Sequence, residues 1–434
     1  MLIRGDVLID LRQKMMEEAF IPYLIAINLT KQCNLNCDHC YMDAEARVAP
    51  SPSHLTLEKL NSLFSEIATR APQTIIVLTG GEPLYRTDLP EIVRAGNDLG
   101  LKMVLGTNGL LLTDKKIEAL QGAGLQGMGI SLDSIHEEAH DRFRGVPDAF
   151  RKTCENIKKC IDKKMHVQIH FTVTKDNSDE IEDAVKMAKN LGATIINFFF
   201  LVCIGRGNSK IDLTPTQYED ALLRIARLQK NEKGIMVQSR CTPHFKRILY
   251  QENPESEYTR AMGYDGGGCP AATHYCRIDP KGEVTPCPYM EISGGSVHQS
   301  SFWDIWDKST LFDSFRRPEL LKGRCGSCEF KSICGGCRAR SLVENGDLMG
   351  EDPNCSYVPE GKPLIRVQDL TPNLKIHWDE EAQNHLKKVP FFLRKRLSKR
   401  LEEKANREGQ VTITLEFMKG YRKEREKELG IKFQ

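Results

Sequence analysis

The fifteen cysteines of this 434-residue chain form two groups and four isolated positions. The first group has three thiols within residues 33–40, Cys-Asn-Leu-Asn-Cys-Asp-His-Cys, directly after an apolar stretch (residues 22–29) that predicts a buried strand. A tight loop with this C-x3-C-x2-C spacing can place three thiolates around one cubane iron–sulfur cluster and leave its fourth iron without a protein ligand. The sequence therefore predicts a cluster with one iron open to chemistry.

The second group has eight cysteines between residues 269 and 355. Cytosolic disulfides rarely persist, and clustered thiols there more often bind metal. Eight thiols suit two four-thiolate sites, and C-x2-C pairs also suit zinc, so two zinc sites are the alternative. Among the isolated cysteines, Cys154 shares a helical face with Phe150 and Ile157, which favours packing. The other three are Cys160, Cys203 and Cys241.

Composition argues against several classes of protein. The chain has 61 Lys and Arg against 59 Asp and Glu, so it lacks the basic character of a nucleic-acid binder. Charges interrupt the apolar run at the N-terminus, which predicts no secretory signal. The longest weakly polar stretches, residues 74–85 and 195–205, are shorter than the roughly 20 residues of a spanning helix. We therefore expect a cytoplasmic protein without a membrane span.

Short β-rich runs alternate with amphipathic segments over the first half of the chain. The runs are residues 24–29, 74–79, 102–107, 127–132, 166–174 and 194–202. Six such units predict an α/β fold with a parallel sheet and helices outside, either doubly wound or a partial barrel. Residues 214–262 have a helical pattern.

The second half has a different composition. The cysteine-rich segment has little room for a hydrophobic core and needs metal to hold its fold. After a linker from Pro359, residues 387–407 hold nine Lys or Arg against two Glu in a helical pattern. We predict an N-terminal segment (1–22), a β/α core (23–262), a cysteine-rich domain (263–358) and a small basic helical domain (370–430).

The three-cysteine loop, with Tyr41 after its last thiol, resembles the signature of the radical S-adenosylmethionine (SAM) enzymes. The resemblance implies a partial (β/α)6 TIM-like barrel in which Cys33, Cys37 and Cys40 hold a [4Fe-4S] cluster that binds SAM. It also implies that the reduced cluster gives one electron to the sulfonium, which yields methionine and a 5′-deoxyadenosyl radical. The barrel must then exclude water and competing hydrogen donors.

Candidate SAM contacts lie at the ends of the predicted strands. Gly80, Gly81 and Glu82 resemble the family's Gly-Gly-Glu motif, whose backbone contacts the methionine amino group, and glycine permits close backbone approach. By the same resemblance, Ser131 contacts the ribose hydroxyls. Asp133 is a second candidate for this contact, and the alternative is that it caps the following helix.

Three more polar residues are candidates at this end of the barrel. Asn108 ends the third strand and faces the same mouth, or else is a turn residue. Residues 141–145 resemble a stretch found at this position in many relatives. The resemblance implies that Arg142 or Arg144 neutralises a carboxylate of SAM or of the substrate. A surface salt bridge is the alternative for either arginine.

The second cysteine group resembles the SPASM extension of radical SAM enzymes, which holds two auxiliary [4Fe-4S] clusters. By that resemblance, the inner cluster, nearer the active site, is held by Cys269, Cys276, Cys287 and Cys337. The outer cluster is held by Cys325, Cys328, Cys334 and Cys355. One departure is that two residues separate Cys334 from Cys337, where the family more often has three. With the upstream loop present, zinc becomes the weaker interpretation.

Two resemblances point to an iron tetrapyrrole substrate. The motifs at residues 29–41, 131–133, 140–145 and 205–208 resemble enzymes that trim tetrapyrrole side chains in haem d1 synthesis and the alternative haem pathway. Residues 376–427 resemble the small domain that ends a subunit of light-independent protochlorophyllide reductase.

The side chains of this last domain admit two interpretations. Phe391 and Phe392 beside Arg394, Lys395 and Arg396 would offer an apolar platform next to cations, which suits a macrocycle edged with carboxylates. A solvated basic helix with a buried Phe pair explains the same pattern.

The resemblance thus implies an enzyme that oxidatively decarboxylates or trims a propionate or acetate arm, with reduced ferredoxin or flavodoxin as electron donor. In the decarboxylating version, the deoxyadenosyl radical takes a hydrogen atom from the propionate β-carbon. The substrate then loses carbon dioxide and one electron, and a vinyl group remains. The electron leaves through the inner cluster. A peptide or protein maturase is the alternative, disfavoured by the short stretch of about 22 residues before the first strand. The intact Gly-Gly-Glu motif argues against a scaffold without turnover. The sequence assigns no catalytic acid or base.

Overall fold

The computed structural model describes residues 20–44, 55–254, 256, 259, 268–365, 376–407 and 410–430. Most of the predicted N-terminal segment, residues 1–19, therefore lies outside the described residues. Within the described ranges, no helix combines the length and apolarity needed to cross a membrane.

Parallel strands form the β/α core, and each pairs with the next in sequence order. They are β1 (Leu24–Asn28), β2 (Ile75–Thr79), β3 (Lys102–Thr107), β4 (Gly127–Ser131), β5 (Val167–Val173), β6 (Ile195–Phe200) and β7 (Met236–Arg240). The first six match the predicted β-rich runs. Strand β7 lies within residues 214–262, where the pattern predicted only helix. The sequence did not indicate this strand because it is short and buries a single apolar residue, Val237.

Helices connect these strands and cover the outer face of the sheet. They are α1 (Leu57–Arg70), α2 (Leu89–Asp98), α3 (Asp114–Gly122), α4 (Glu137–Arg144), α5 (Ala149–Asp162), α6 (Ile181–Asn190), α7 (Pro215–Asn231) and α8 (Phe245–Glu252). Helix α7 begins with a capping box, in which Thr214 and Gln217 satisfy each other's backbone N–H groups.

Side chains alternate between the two faces of the sheet, as strand geometry requires. On β5, Val167 and Ile169 are fully buried in the main core beneath the helices. Gln168 and His170 take the opposite face, toward the barrel interior. This alternation decides which residues reach the interior, and it continues on the neighbouring strands.

The cysteine-rich region extends the same sheet. Its strands are β8 (Tyr275–Ile278), β9 (Glu283–Thr285) and β10 (Gly295–Ser296), and β8 pairs in parallel with β1. The ten-stranded sheet has the order β10-β9-β8-β1-β2-β3-β4-β5-β6-β7. The helices are α9 (Phe302–Lys308), α10 (Thr310–Phe315), α11 (Gly323–Ser327) and α12 (Arg338–Asn345). Trp306 is fully buried in the main core, so this region shares the core of the barrel.

The C-terminal domain has its own small core. Its elements are β11 (His377–Trp378), α13 (Glu380–Leu386), α14 (Phe391–Arg407), β12 (Thr412–Ile413) and α15 (Leu415–Leu429). Leu401, Ala405 and Ile413 are fully buried there. Phe391 instead packs against the main core, as the buried-face interpretation expects. The Phe392 side chain lies outside what the structure describes.

Candidate active site and iron–sulfur sites

The loop at residues 33–40 follows β1 and brings its thiols into one apolar cluster. Cys33 and Cys37 are buried in it, and Cys40 packs against it. Each sulfur has an N–H donor nearby: the Asn108 side-chain amide lies 3.8 Å from Cys33 Sγ, Arg144 Nη1 3.6 Å from Cys37 Sγ, and a backbone N–H 3.4 Å from Cys40 Sγ. Such donors compensate negative charge on thiolate sulfur.

Gly80 and Gly81 allow this loop to lie directly against the end of β2. A Cβ on Gly80 would lie 2.5 Å from the Thr30 carbonyl oxygen, and a Cβ on Gly81 would lie 2.3 Å from that of Gln32. The Gly81 and Glu82 N–H groups donate to these carbonyls, each at 2.8 Å. The glycines therefore position the backbone immediately before Cys33.

The Glu82 side chain joins the ends of β2 and β3. Its carboxylate is fully buried and accepts hydrogen bonds from Thr107 Oγ1 at 2.8 Å and from the Asn108 N–H at 2.9 Å. Burial raises the pKa of Glu82, and these hydrogen bonds oppose that rise. Asn108 then reaches the cysteine loop, because its side-chain amide donates to Asn34 Oδ1 at 2.8 Å. The side chain of Glu82 is thus occupied within the protein.

Asp133 and Arg144 form a buried ion pair beside Cys37. Both side chains are less than one-tenth exposed, and Asp133 Oδ1 also accepts from the Thr172 N–H at 2.8 Å. Burial alone would raise the pKa of Asp133, but Arg144 and His39 outweigh it and lower the pKa. The charged carboxylate therefore holds the guanidinium against the sulfur.

Two further candidates have different surroundings. Arg142 is exposed on α4, whereas Arg144, two residues later and on the other side of the helix, faces the cysteine loop. Ser131 is half-buried at the end of β4, in register with His170 of β5. Burial and nearby Arg240 lower the pKa of His170 to about 4, so this imidazole is neutral near pH 7.

Burial raises the pKa of Cys33 to about 11, which makes a free thiolate unfavourable at neutral pH. Metal coordination deprotonates a thiol outright and removes this penalty. The donor set therefore fits a thiolate-ligated cluster. Within the described residues, no group of three or more His, Cys, Asp or Glu side chains is placed so that it could hold a single metal ion.

The four thiols predicted to hold the outer cluster line one pocket. Cys325, Cys328, Cys334 and Cys355 surround about 420 Å³ of empty space, a volume that includes the opening to solvent. Backbone N–H groups lie 3.4 Å from Cys325 Sγ and from Cys334 Sγ. Arg247 also lines this pocket and pairs with Glu219. The pocket thus combines the donors and the cation that a buried cluster needs.

The predicted inner set is only partly brought together. Cys287 packs against a small apolar cluster that contains Cys337. Burial raises the pKa of the Cys287 thiol, and the neighbouring thiols of Cys269, Cys337 and Cys241 raise it further. Cys276 is instead fully buried in the main core. Sequence reasoning left Cys241 among the isolated cysteines, although it directly follows β7, at the same end of the barrel as the first loop.

Aromatic side chains connect the first loop with the inner thiols. The Tyr41 hydroxyl accepts from the Asn28 side-chain amide at 3.0 Å. The Tyr41 and Tyr289 rings meet edge to face, with centroids 5.5 Å apart. Burial raises the pKa of both phenols, so both stay neutral near pH 7. This ring contact therefore links the loop that ends at Cys40 with the segment that carries Cys287.

Family models match three segments of the chain. Residues 27–188 match the radical SAM superfamily, and residues 269–337 match an iron-sulfur cluster-binding domain. Residues 378–422 match the proto-chlorophyllide reductase 57 kD subunit. The iron–sulfur and SAM cofactors expected from the sequence are therefore confirmed at the level of these domains.

Solved structures share the fold. Streptococcus suis SuiB bound to S-adenosylmethionine has a TM-score of 0.65 at 18% identity, over 81% of this chain and 82% of that one. A second structure, anSMEcpe with bound AdoMet, has a TM-score of 0.59 at 18% identity, over 77% of this chain and 94% of that one.

Known proteins of similar sequence narrow the family. The AdoMet-dependent heme synthase of Methanosarcina barkeri is 39% identical over 79% of this chain and 98% of its own length. The pre-heme d1 synthase of Dinoroseobacter shibae is 30% identical over 76% and 84%. A PqqA peptide cyclase of Bradyrhizobium diazoefficiens is 27% identical over 82% and 92%. This chain therefore belongs to the radical SAM enzymes, in the same family as the AdoMet-dependent heme synthases.

Proposed function

We propose that this enzyme oxidatively decarboxylates or trims a propionate or acetate side chain of an iron tetrapyrrole. The observation that carries the proposal is the 39% identity to the Methanosarcina barkeri AdoMet-dependent heme synthase over 98% of that protein. The 30% identity to a pre-heme d1 synthase supports the same substrate class. The enzyme would act in the cytoplasm, with reduced ferredoxin or flavodoxin as its electron donor and no nucleic-acid partner.

Cys33, Cys37 and Cys40 are the proposed ligands of the first [4Fe-4S] cluster. When bound, this cluster and SAM supply a 5′-deoxyadenosyl radical, which takes a hydrogen atom from a substrate carbon. The Gly81 N–H already serves the cysteine loop, so the carbonyl oxygens of Gly80 and Gly81 are the proposed acceptors for the SAM ammonium group.

The remaining proposed contacts of SAM follow from position at the strand ends. Ser131 would take the ribose hydroxyls, and Asn108 would orient the loop around Cys33. Asp133 and Arg144 would act together, with the carboxylate holding the cation in place. Arg142, which is exposed, would not contact SAM.

Cations on the interior face suit a substrate edged with carboxylates. Arg240 of β7 and Arg277 of β8 occupy interior-facing positions, because Val237 and Ile278 of the same strands are buried under the helices. Arg240 Nε donates to Asn197 Oδ1 at 2.9 Å, which fixes its direction. We propose that these two guanidinium groups bind substrate carboxylates, a task for which a planar bidentate donor is suited.

The C-terminal domain is proposed to lie near the macrocycle. Support comes from its match to the proto-chlorophyllide reductase 57 kD subunit over residues 378–422. The packing of Phe391 against the main core ties this domain to the barrel. The cations of α14, rather than its first Phe, would then face the substrate.

The test is an anaerobic assay with reconstituted enzyme, SAM, reductant and an iron tetrapyrrole that carries propionates. The expected product has lost carbon dioxide and two hydrogen atoms per converted side chain, and Cys37→Ala forms none. Arg240→Gln should raise KM for the tetrapyrrole about 10-fold, the effect of a lost charged hydrogen bond, while SAM cleavage persists. Deoxyadenosine release with an unchanged tetrapyrrole would contradict the proposal and favour a peptide maturase.

A further inference from the structure

Three thiols of the inner site, Cys269, Cys287 and Cys337, belong to the cysteine-rich region, and the fourth ligand is the open question. Two cysteines compete for the position. Cys276 lies between Cys269 and Cys287 in sequence, and Cys241 lies 28 residues before Cys269. The direction of each side chain distinguishes them.

Cys276 points away from the other thiols. On β8, Cys276 and Ile278 are fully buried in the main core, so Tyr275 and Arg277 take the interior face. Cys276 is in register with Ile25 of β1, which is also in the main core under the helices. A ligand at Cys276 would therefore lie on the outer side of the sheet.

The surroundings of Cys276 agree with this direction. The charged group beside its thiol is Arg316. That guanidinium donates to the Ala272 carbonyl oxygen at 2.9 Å and to the Trp306 carbonyl oxygen at 2.8 Å, and it lies 5.0 Å from the Trp306 ring. Cys276 thus sits in the apolar layer that attaches the cysteine-rich region to the barrel.

Cys241 lies with the inner thiols. Its sulfur is 3.6 Å from the Tyr289 hydroxyl oxygen, and Tyr289 packs with Cys287 against the apolar cluster that contains Cys337. Cys241 also has φ of 62°, a left-handed backbone that non-glycine residues rarely adopt. The contact with Tyr289 therefore places the Cys241 thiol beside the inner set.

We propose that Cys241, and not Cys276, completes the four-thiolate set of the inner auxiliary cluster with Cys269, Cys287 and Cys337. This assignment rests on the proposed cluster ligation but is independent of the tetrapyrrole substrate. It makes the barrel itself a ligand donor, so the inner cluster joins the end of β7 to the cysteine-rich region.

The test compares iron and acid-labile sulfide per chain, with EPR spectra of the reduced protein, for Cys241→Gly, Cys241→Ala and Cys276→Ala. Glycine suits the left-handed φ at this position, so Cys241→Gly removes the thiol without adding backbone strain. Both Cys241 variants should lose about four iron atoms per chain and one EPR signal. Cys276→Ala should keep the iron content of the unsubstituted chain. Cys160→Ala, a fully buried core thiol, controls for the loss of a cysteine as such.

Iron loss from Cys276→Ala with retention in both Cys241 variants would overturn the assignment. Equal loss from both positions, or loss from neither, would overturn it as well. Far-UV circular dichroism establishes that each variant is folded. Because no tetrapyrrole is added, failure of the proposed haem chemistry leaves this result unaffected.

Discussion

The first cysteine region takes its three thiols from a single loop of eight residues, 33–40, whereas the second draws on thiols spread from residue 269 to residue 355. In the first, sequence spacing and spatial arrangement are nearly the same thing, because a short loop leaves little freedom. In the second, strand direction and helix packing decide which thiols meet. Spacing therefore identifies a ligand set within one loop, and it loses this power once several elements contribute.

A buried arginine accompanies each sulfur site. Arg144 contacts Cys37, Arg340 lowers the pKa of Cys337 against the effect of burial, and Arg247 lines the outer pocket. Burying a thiolate cluster without a cation is costly, because the charge loses its hydration. The sites differ in how directly the cation acts, since among these three arginines only Arg144 donates a hydrogen bond to sulfur within the part of the chain that the structure describes.

The largest expected effect breaks the first site outright. Cys37→Ala removes one of the three proposed loop ligands and should reduce deoxyadenosine release by more than about 100-fold. This loss is larger than the loss expected when a residue that only supports a ligand is changed. The measurement is chromatography of SAM cleavage products under anaerobic reduction. Cys160→Ala, buried in the main core, is the matched control. Comparable cleavage by Cys37→Ala would contradict the assignment of the loop.

The next effect tests how the loop is supported. In Gly81→Ala, the new Cβ would lie 2.3 Å from the Gln32 carbonyl oxygen, so the backbone before Cys33 must move. We expect a loss of about 1–3 kcal/mol in the free energy of unfolding and weaker iron binding at the first site only. Gly122→Ala is the control, because a Cβ there meets no atom within 4 Å. If thermal unfolding and iron content respond alike in both variants, the close approach is unimportant.

A smaller effect concerns the cation beside Cys37. Arg144→Gln removes the charged donor and should make the midpoint potential of the first cluster more negative, since a positive charge favours the reduced state. Slower SAM cleavage, by about 10–100-fold, should follow. An EPR-monitored redox titration measures the potential. The exposed Arg142→Gln serves as the matched control, and a larger shift in that variant would reverse the roles of the two arginines.

The smallest effect is expected at the outer site. Arg247→Gln leaves Glu219 without its partner and should lower the free energy of unfolding by about 1–3 kcal/mol, because an uncompensated charge remains partly buried. SAM cleavage should change less than in Arg144→Gln, since Arg247 lines the pocket of the outer thiols whereas Arg144 contacts Cys37. Arg247→Lys retains the charge and should recover part of the stability in denaturant titrations. An effect on cleavage as large as that of Arg144→Gln would show that the two sites are not separable.

Much of the fold was predictable from local pattern. Six predicted strands agree with β1 to β6 because each is a short β-rich run that buries apolar side chains in the main core. Strand β7 was not predicted, since Val237 is the one buried residue of Met236–Arg240, three others are partly exposed and Arg240 is exposed. Its partner β6 supplies the pairing that makes it a strand.

The candidate site was predictable to a similar degree. The outer set of four thiols, expected from resemblance, lines one pocket in the structure. The roles of individual polar residues were less accessible: the Glu82 side chain is used within the protein, and Arg144 rather than Arg142 faces the loop. These two arginines lie on different faces of the same helix, and the position of a residue within a motif does not predict which face points to the protein interior.

The sequence by itself determined the family and its cofactors, because the C-x3-C-x2-C loop and the cysteine-rich segment carry the motifs of the radical SAM and iron–sulfur domains whatever surrounds them. Only the tertiary structure decided which thiols lie close together. On β8, the two-residue period sends Cys276 into the core under the helices, and the turn after β7 brings Cys241 beside Tyr289. Side-chain direction depends on pairing partners far away in sequence, and spacing between cysteines does not contain that information.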